Sequence, residues 1–133
     1  FDSHTDLGYG GLESLNYEVN CANWLGKLLN EGEVRRGNII LSPYTSEKEE
    51  YFKEINESFD ILYKEIDELE PQVQVSTLHV CRSGAWTAPW LDNEFREFIK
   101  GINKRIEYKE YMDREWNINN ITLADKIEYL LFS

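Results

Sequence analysis

Within the first six residues, Phe1-Asp2-Ser3-His4-Thr5-Asp6, two carboxylates and an imidazole stand at alternate positions. In extended backbone successive side chains leave opposite faces, so Asp2, His4 and Asp6 project from one side and can converge on a single site. Two hard oxygen donors and one nitrogen donor suit a hard to borderline divalent ion such as Mn, Fe, Zn or Mg. The lack of a thiolate among them argues against copper(I) or an iron–sulfur cluster. In a chain so poor in histidine, Asp-x-His-x-Asp arises from composition alone about 1% of the time. The competing reading is a solvated imidazole on a frayed terminal arm.

Such ligands need elements to hold them, and the hydrophobic spacing supplies candidates. Val19, Trp24, Leu25, Leu28 and Leu29 predict a helix over Tyr17 to Asn30, closed by Gly32 and carrying Asn23 and Trp24. Asn38 to Leu41 reads as a short buried strand ended by Ser42-Pro43. Ser46 and Glu49 form a capping box, and Phe52, Ile55, Phe59, Leu62, Ile66 and Leu69 recur at steps of three and four. A long amphipathic helix stopped by Pro71 is expected there. Val73 to Cys81 follows as a central parallel strand that delivers Arg82 to Trp86 to the carboxyl edge of a sheet, where open α/β folds bind ligands. A helix after Pro89 runs to Ile106, weakened at Gly101. Asn117, Asn119 and Asn120 turn into a last short helix over Leu123 to Phe132. Strands alternating with helices imply an α/β fold with a largely parallel sheet flanked by helices, in one domain spanning residues 1–133.

Composition narrows the function classes. Hydrophobic residues at 41% and aromatics at 14% are ample for a packed core. The formal charge of −11 disfavours nucleic acid and favours a cationic partner. Ten acidic residues lie between Glu47 and Glu70 against only Lys48, Lys53 and Lys64, a pattern most simply read as a solvated helix face. No apolar run reaches membrane-spanning length and no signal peptide is visible, so a cytoplasmic protein is expected. Cys21 and Cys81, falling in a helix and a strand, are expected as buried reduced thiols. The oligomeric state is left open.

The segment Phe1-Asp2-Ser3-His4-Thr5-Asp6-Leu7 resembles the metal-binding signature of the arginase-like ureohydrolases, in which Asp-Ala-His-Thr-Asp or a close variant ends a core strand. Asn23-Trp24-Leu25, the stretch Val80 to Trp90 and the helix after it resemble the peptide arginases, which convert arginine to ornithine in ribosomally made peptides. The resemblance implies a three-layer arginase-like fold, two manganese ions and an arginine-containing peptide as substrate. It assigns Asp2, His4 and Asp6 to the metal. The family also uses a histidine upstream of this motif and an Asp-x-Asp at the end of a later strand. No Asp-x-Asp occurs here, and its natural place would be near Ile39 to Tyr44. These 133 residues are therefore expected to form part of a larger domain, with a break in the chain near that point. No residue is assigned a catalytic role beyond the metal ligands.

Asn23, Trp24, Ser83 and Trp86 are candidates for binding substrate, each with a structural alternative: helix packing for the first pair, a Ser83-Gly84 turn and a core aromatic for the second. Asp92 and Glu94 can receive a guanidinium in paired hydrogen bonds, or simply favour a helix dipole. His79 reads as a core or edge residue. The rival to a hydrolase is a non-catalytic, immunity-type inhibitor that covers a basic surface with the acidic Glu47 to Glu70 helix.

Overall fold

The computed structural model describes residues 1–69, 74–83, 87–102, 105 and 114–132. The expected architecture was one α/β domain; the chain divides into two compact units, Phe1–Gln74 and Val75–Ser133.

The first unit is built on parallel pairing. Strand β1, Gly37–Ile39, pairs in parallel with β2, Ile61–Tyr63, with Gly37 opposite Ile61 and Ile39 opposite Tyr63. A single residue is added beside them: Asp2 forms an isolated parallel bridge with Leu41, its N–H donating to the Ile40 carbonyl and its own carbonyl accepting from Ser42 N–H at 2.8 Å. Parallel neighbours require crossovers. Between Asp2 and β1 lie a 3₁₀ turn, Gly11–Asn16, and helix α1, Trp24–Asn30; between β1 and β2 lie a 3₁₀ turn, Glu49–Phe52, and helix α2, Lys53–Ser58. Leu7, Leu15, Leu29, Ile39, Phe52 and Ile55 form the core, with Phe59, Ile61 and Tyr63 packed at its margin. The α/β class is thus correct at this coarse level, in a sheet of two strands and one bridge.

Three expectations for this unit change. Helix α1 begins at Trp24 instead of Tyr17, because Asn20 and Asn23 lock a turn ahead of it: the Asn20 N–H donates to Asn23 Oδ1 and Ala22 N–H to Asn20 Oδ1, both at 2.8 Å. The long helix expected from Ser46 to Pro71 is not formed. After Ser58 the backbone turns extended at Phe59, and Ile61 to Tyr63 becomes β2. Only Phe52 and Ile55 of the helical stripe are buried, whereas Ile66 is exposed. Phe59, Ile61 and Tyr63 are partly buried against the core at a spacing of two, the period of a strand. Finally, the backbone runs on from Ile39 to Tyr44, where a break was expected, into a turn closed by Thr45 N–H donating to Ser42 O.

The second unit carries a 3₁₀ turn, Pro89–Leu91, leading into helix α3, Asp92–Gly101, and a 3₁₀ turn, Ile118–Asn120, ahead of helix α4, Leu123–Phe132. Helix α3 stops at the weak point Gly101 and does not reach Ile106, which lies outside the described residues. α4 falls where its sequence placed it, opened by a reciprocal pair in which Thr122 N–H donates to Asp125 Oδ2 and Asp125 N–H to Thr122 Oγ1. The Thr122 hydroxyl, and then its backbone N–H, both donating to Asp125 Oδ2, hold the Asp125 carboxyl below its ordinary range. The central strand expected over Val73 to Cys81 is absent from its described part: 74–83 has no regular structure, and Val75, Leu78 and His79 are exposed. Cys21 and Cys81 are free thiols, and both are exposed, not buried, since neither the helix nor the strand expected to cover them forms there. Asp92 anchors this unit. Its buried carboxylate takes Arg82 Nη1 at 2.7 Å and Arg114 Nε at 3.2 Å, while Arg114 Nη2 bonds its other oxygen. The paired guanidinium that Asp92 suits is thus supplied by the chain itself, and the arginines hold its carboxyl below the usual carboxylate range.

Candidate functional site

The Asp2-His4-Asp6 segment leaves the sheet just beyond the isolated Asp2–Leu41 bridge, at the carboxyl end of the parallel pair β1 and β2. Asp2 and His4 lie together: His4 Nδ1 is 3.6 Å from Asp2 Oδ1, and the same oxygen accepts the His4 backbone N–H at 3.1 Å. Asp6 takes the left-handed region, φ 55°, which no other non-glycine described residue adopts. That turn sends its carbonyl to the start of α1, where it accepts from Leu25 and Gly26 N–H at 3.1 and 3.2 Å. Its carboxylate accepts the Trp24 indole N–H at 2.6 Å.

Burial raises the Asp6 carboxyl above its ordinary value. The Trp24 bond and the His4 imidazole oppose the rise, and the charges of Asp2 and Glu47 add to it. The four side chains therefore share one electrostatic neighbourhood. Glu47 comes from 42 residues away: Oε2 accepts Thr5 N–H at 2.8 Å, and Oε1 accepts the Tyr9 phenol. Burial, then the bond to Glu47, pushes the Tyr9 hydroxyl well above its ordinary range. Sequence reading placed Glu47 at the edge of a solvated acidic run. No local pattern reveals it, since its partners are Thr5 and Tyr9.

The donor types fit a hard to borderline divalent ion, and Asp2 and His4 are set as neighbours. Among the described residues, however, no three of His, Cys, Asp and Glu are arranged as a closed metal-binding group. The Asp6 carboxylate is engaged by the Trp24 indole N–H. Of the remaining candidates, Trp24 lies at the site, 41% exposed with its N–H on Asp6. Asn23 is buried and committed to backbone: Nδ2 donates to Ser14 O and Glu18 O, both at 3.2 Å, and Oδ1 accepts Asn20 N–H. It shapes the start of α1. Ser83 belongs to the second unit, where its carbonyl accepts Thr87 N–H at 3.2 Å; Gly84 lies outside the described residues. Trp86 lies outside the described residues.

The approach of α1 to the loop is set by Gly26, where an added Cβ would stand 2.1 Å from the Leu7 carbonyl oxygen. No protein-family model, curated protein or solved structure matches the chain. No helix among the described residues is long and apolar enough to cross a membrane.

Proposed function

We propose that this chain carries the Asp2-His4-Asp6 arm of an arginase-like metallohydrolase that cleaves the guanidinium group of an arginine in a peptide, giving ornithine and urea. The arginase-like three-layer fold and manganese are part of the same proposal. The observation that carries it is the position of the triplet: a loop at the carboxyl end of parallel runs, with Asp2, His4 and Asp6 electrostatically coupled. A bound divalent ion there would supply a water of lowered pKa. Asp2 and His4 present neighbouring donors. Asp6 would join them in holding the ion if its carboxylate were released from the Trp24 N–H, and Glu47 holds the intervening Thr5 amide. In the overall reaction the water oxygen adds to the guanidinium carbon, the bond to the side-chain nitrogen breaks, and that nitrogen leaves protonated as the ornithine amine.

The inhibitor reading keeps its support in the charge of −11. The continuous acidic helix on which it relied is not formed, since Glu47 to Glu68 is divided between two 3₁₀ turns, α2 and β2. The test of the hydrolase is Mn²⁺ titration followed by calorimetry and Trp24 fluorescence, with mass spectrometry of an arginine-containing peptide for loss of the amidino group. Wild type should bind Mn²⁺ with a change in indole emission and form ornithine. His4→Ala, which removes a half-buried side chain outside the core, should fold normally, bind at least tenfold more weakly and form none. Turnover unchanged in His4→Ala excludes His4 as a ligand, and an absence of both binding and product in wild type overturns the proposal.

A further inference from the structure

At the carboxyl ends of β1 and β2 the first unit opens a cleft of about 340 Å³. Ile39, Leu41 and Tyr63 give it apolar walls, and Lys64, Glu65 and Glu68 place charge around it. The two glutamates belong to a reciprocal capping box around the 3₁₀ turn Ile66–Glu68: Glu65 N–H donates to Glu68 Oε2 at 2.7 Å, and the Glu65 carboxylate accepts the Glu68 N–H. The box leaves each exposed carboxylate a further oxygen for an outside donor. With Lys64 offsetting one of the two, the charge around the cleft is −1, in a chain of net −11.

The cleft adjoins the Asp2-His4-Asp6 loop. Two of its lining residues hold that loop's backbone, Ser42 N–H donating to Asp2 O at 2.8 Å and the Thr45 hydroxyl donating to Ser3 O. Neighbouring strands lie about 4.8 Å apart and an extended peptide advances about 3.3 Å per residue, so a few residues of one peptide reach both places.

We infer that the cleft binds a second basic side chain of the peptide whose arginine is presented to Asp2, His4 and Asp6. The aliphatic stem of a lysine or arginine packs on Ile39, Leu41 and Tyr63, and its cationic head meets Glu65 and Glu68. Such a side chain is apolar along its length and charged at its tip, the same division the cleft shows. With Lys64 counted the cleft is still net negative, which disfavours an acidic side chain, and a purely apolar one would leave the two carboxylates unused. The inference rests on the peptide-arginine reading for the identity of the neighbouring residue.

The experiment is fluorescence anisotropy at low salt in EDTA, with two fluorescein-labelled seven-residue peptides. One carries two arginines separated by a single residue; in the other, glutamine replaces the second arginine. Wild type should bind the two-arginine peptide more tightly. The double variant Glu65→Gln/Glu68→Gln, in which glutamine preserves the capping box, should weaken that peptide about fivefold and leave the one-arginine peptide unchanged. Wild type that does not distinguish the peptides, or a variant that binds both as wild type does or loses both equally, overturns the inference. Because the measurement is made without metal, discrimination retained together with no ornithine formation in Mn²⁺ brings down the hydrolase alone.

Discussion

Replacing Gly26 by alanine should destabilise the first unit and disturb the Asp2-His4-Asp6 loop, although alanine is the better helix former. An added methyl would stand 2.1 Å from Leu7 O, 2.7 Å from Leu15 Cδ2 and 2.9 Å from Leu7 C. Ordinary carbon contacts need about 3.5 Å, so α1 must retreat by roughly 1 Å. The obstacle is backbone, which cannot rotate aside. Retreat stretches the two bonds that Leu25 and Gly26 N–H make to Asp6 O, now at 3.1 and 3.2 Å. Overpacking of this kind costs about 1–3 kcal/mol, and weakened hydrogen bonds add about 0.5–1.5 kcal/mol each. Helix propensity returns about 1 kcal/mol to alanine. The balance is a net loss of about 3 kcal/mol at mid-range, measurable by urea unfolding, with a change in Trp24 emission as its N–H parts from Asp6. Stability equal to or above wild type, with unchanged emission, would show that α1 does not rest on the Leu7 backbone and would refute the packing argument.

Two more perturbations follow from charge. Asp92→Ala should destabilise the second unit by about 3–5 kcal/mol, because it strands two largely buried guanidinium groups, and urea unfolding of the variant checks this. Since the folded carboxyl of Asp92 lies below its unfolded value, its contribution is complete above about pH 5 and fades as pH falls through the lowered folded value, which stability measured against pH in wild type and Asp92→Ala should separate. At Asp6 the sign is reversed: burial raises the folded value, so its charge costs stability at neutral pH, and Asp6→Asn should narrow the difference between neutral and mildly acidic stability. Glu47→Ala should expose the Thr5 amide, seen as faster hydrogen exchange there, and return the Tyr9 hydroxyl toward its ordinary titration range in an absorbance titration.

What the sequence made legible is what local chemistry decides. Pro89 with the acids Asp92 and Glu94 placed the start of α3, Gly101 marked its weak point, and the turn at Asn117, Asn119 and Asn120 placed α4. The strand at Asn38 was legible from its β-prone apolar residues between Gly37 and Ser42-Pro43. The segment from Ser46 to Pro71 was misread because its apolar residues satisfy two periods at once: 52, 55, 59, 62, 66 and 69 suit a helix, while 59, 61 and 63 suit a strand. Periodicity cannot arbitrate such a conflict. Pairing with β1 decides it, since Gly37 and Ile39 need a parallel partner and α2 leaves one within reach. The site shows the same division. Alternation in the first six residues revealed Asp2, His4 and Asp6, but extended geometry lasts only as far as the Leu41 bridge. The left-handed turn at Asp6 and the arrival of Glu47 are decided by contacts with α1 and with the chain after β1.

That turn bears on function. A non-glycine residue in the left-handed region costs about 1 kcal/mol or more, and glycine at position 6 would relieve the strain while still capping α1 through its carbonyl. What glycine cannot supply is the carboxylate, which sits beside the charges of Asp2 and Glu47 at a further electrostatic cost. The bond to Trp24 offsets part of this, yet an exposed indole N–H is satisfied by water as readily. The loop therefore carries backbone strain and charge repulsion that the packing of α1 does not require, and a cation between Asp2, His4 and Asp6 is the ligand whose binding would relieve the repulsion. If so, Asp6→Gly should be more stable than wild type without Mn²⁺ and should lose the stabilisation that Mn²⁺ gives wild type. A variant that is less stable in both conditions would mean that the carboxylate serves the fold through Trp24, and the strain would carry no argument for a metal.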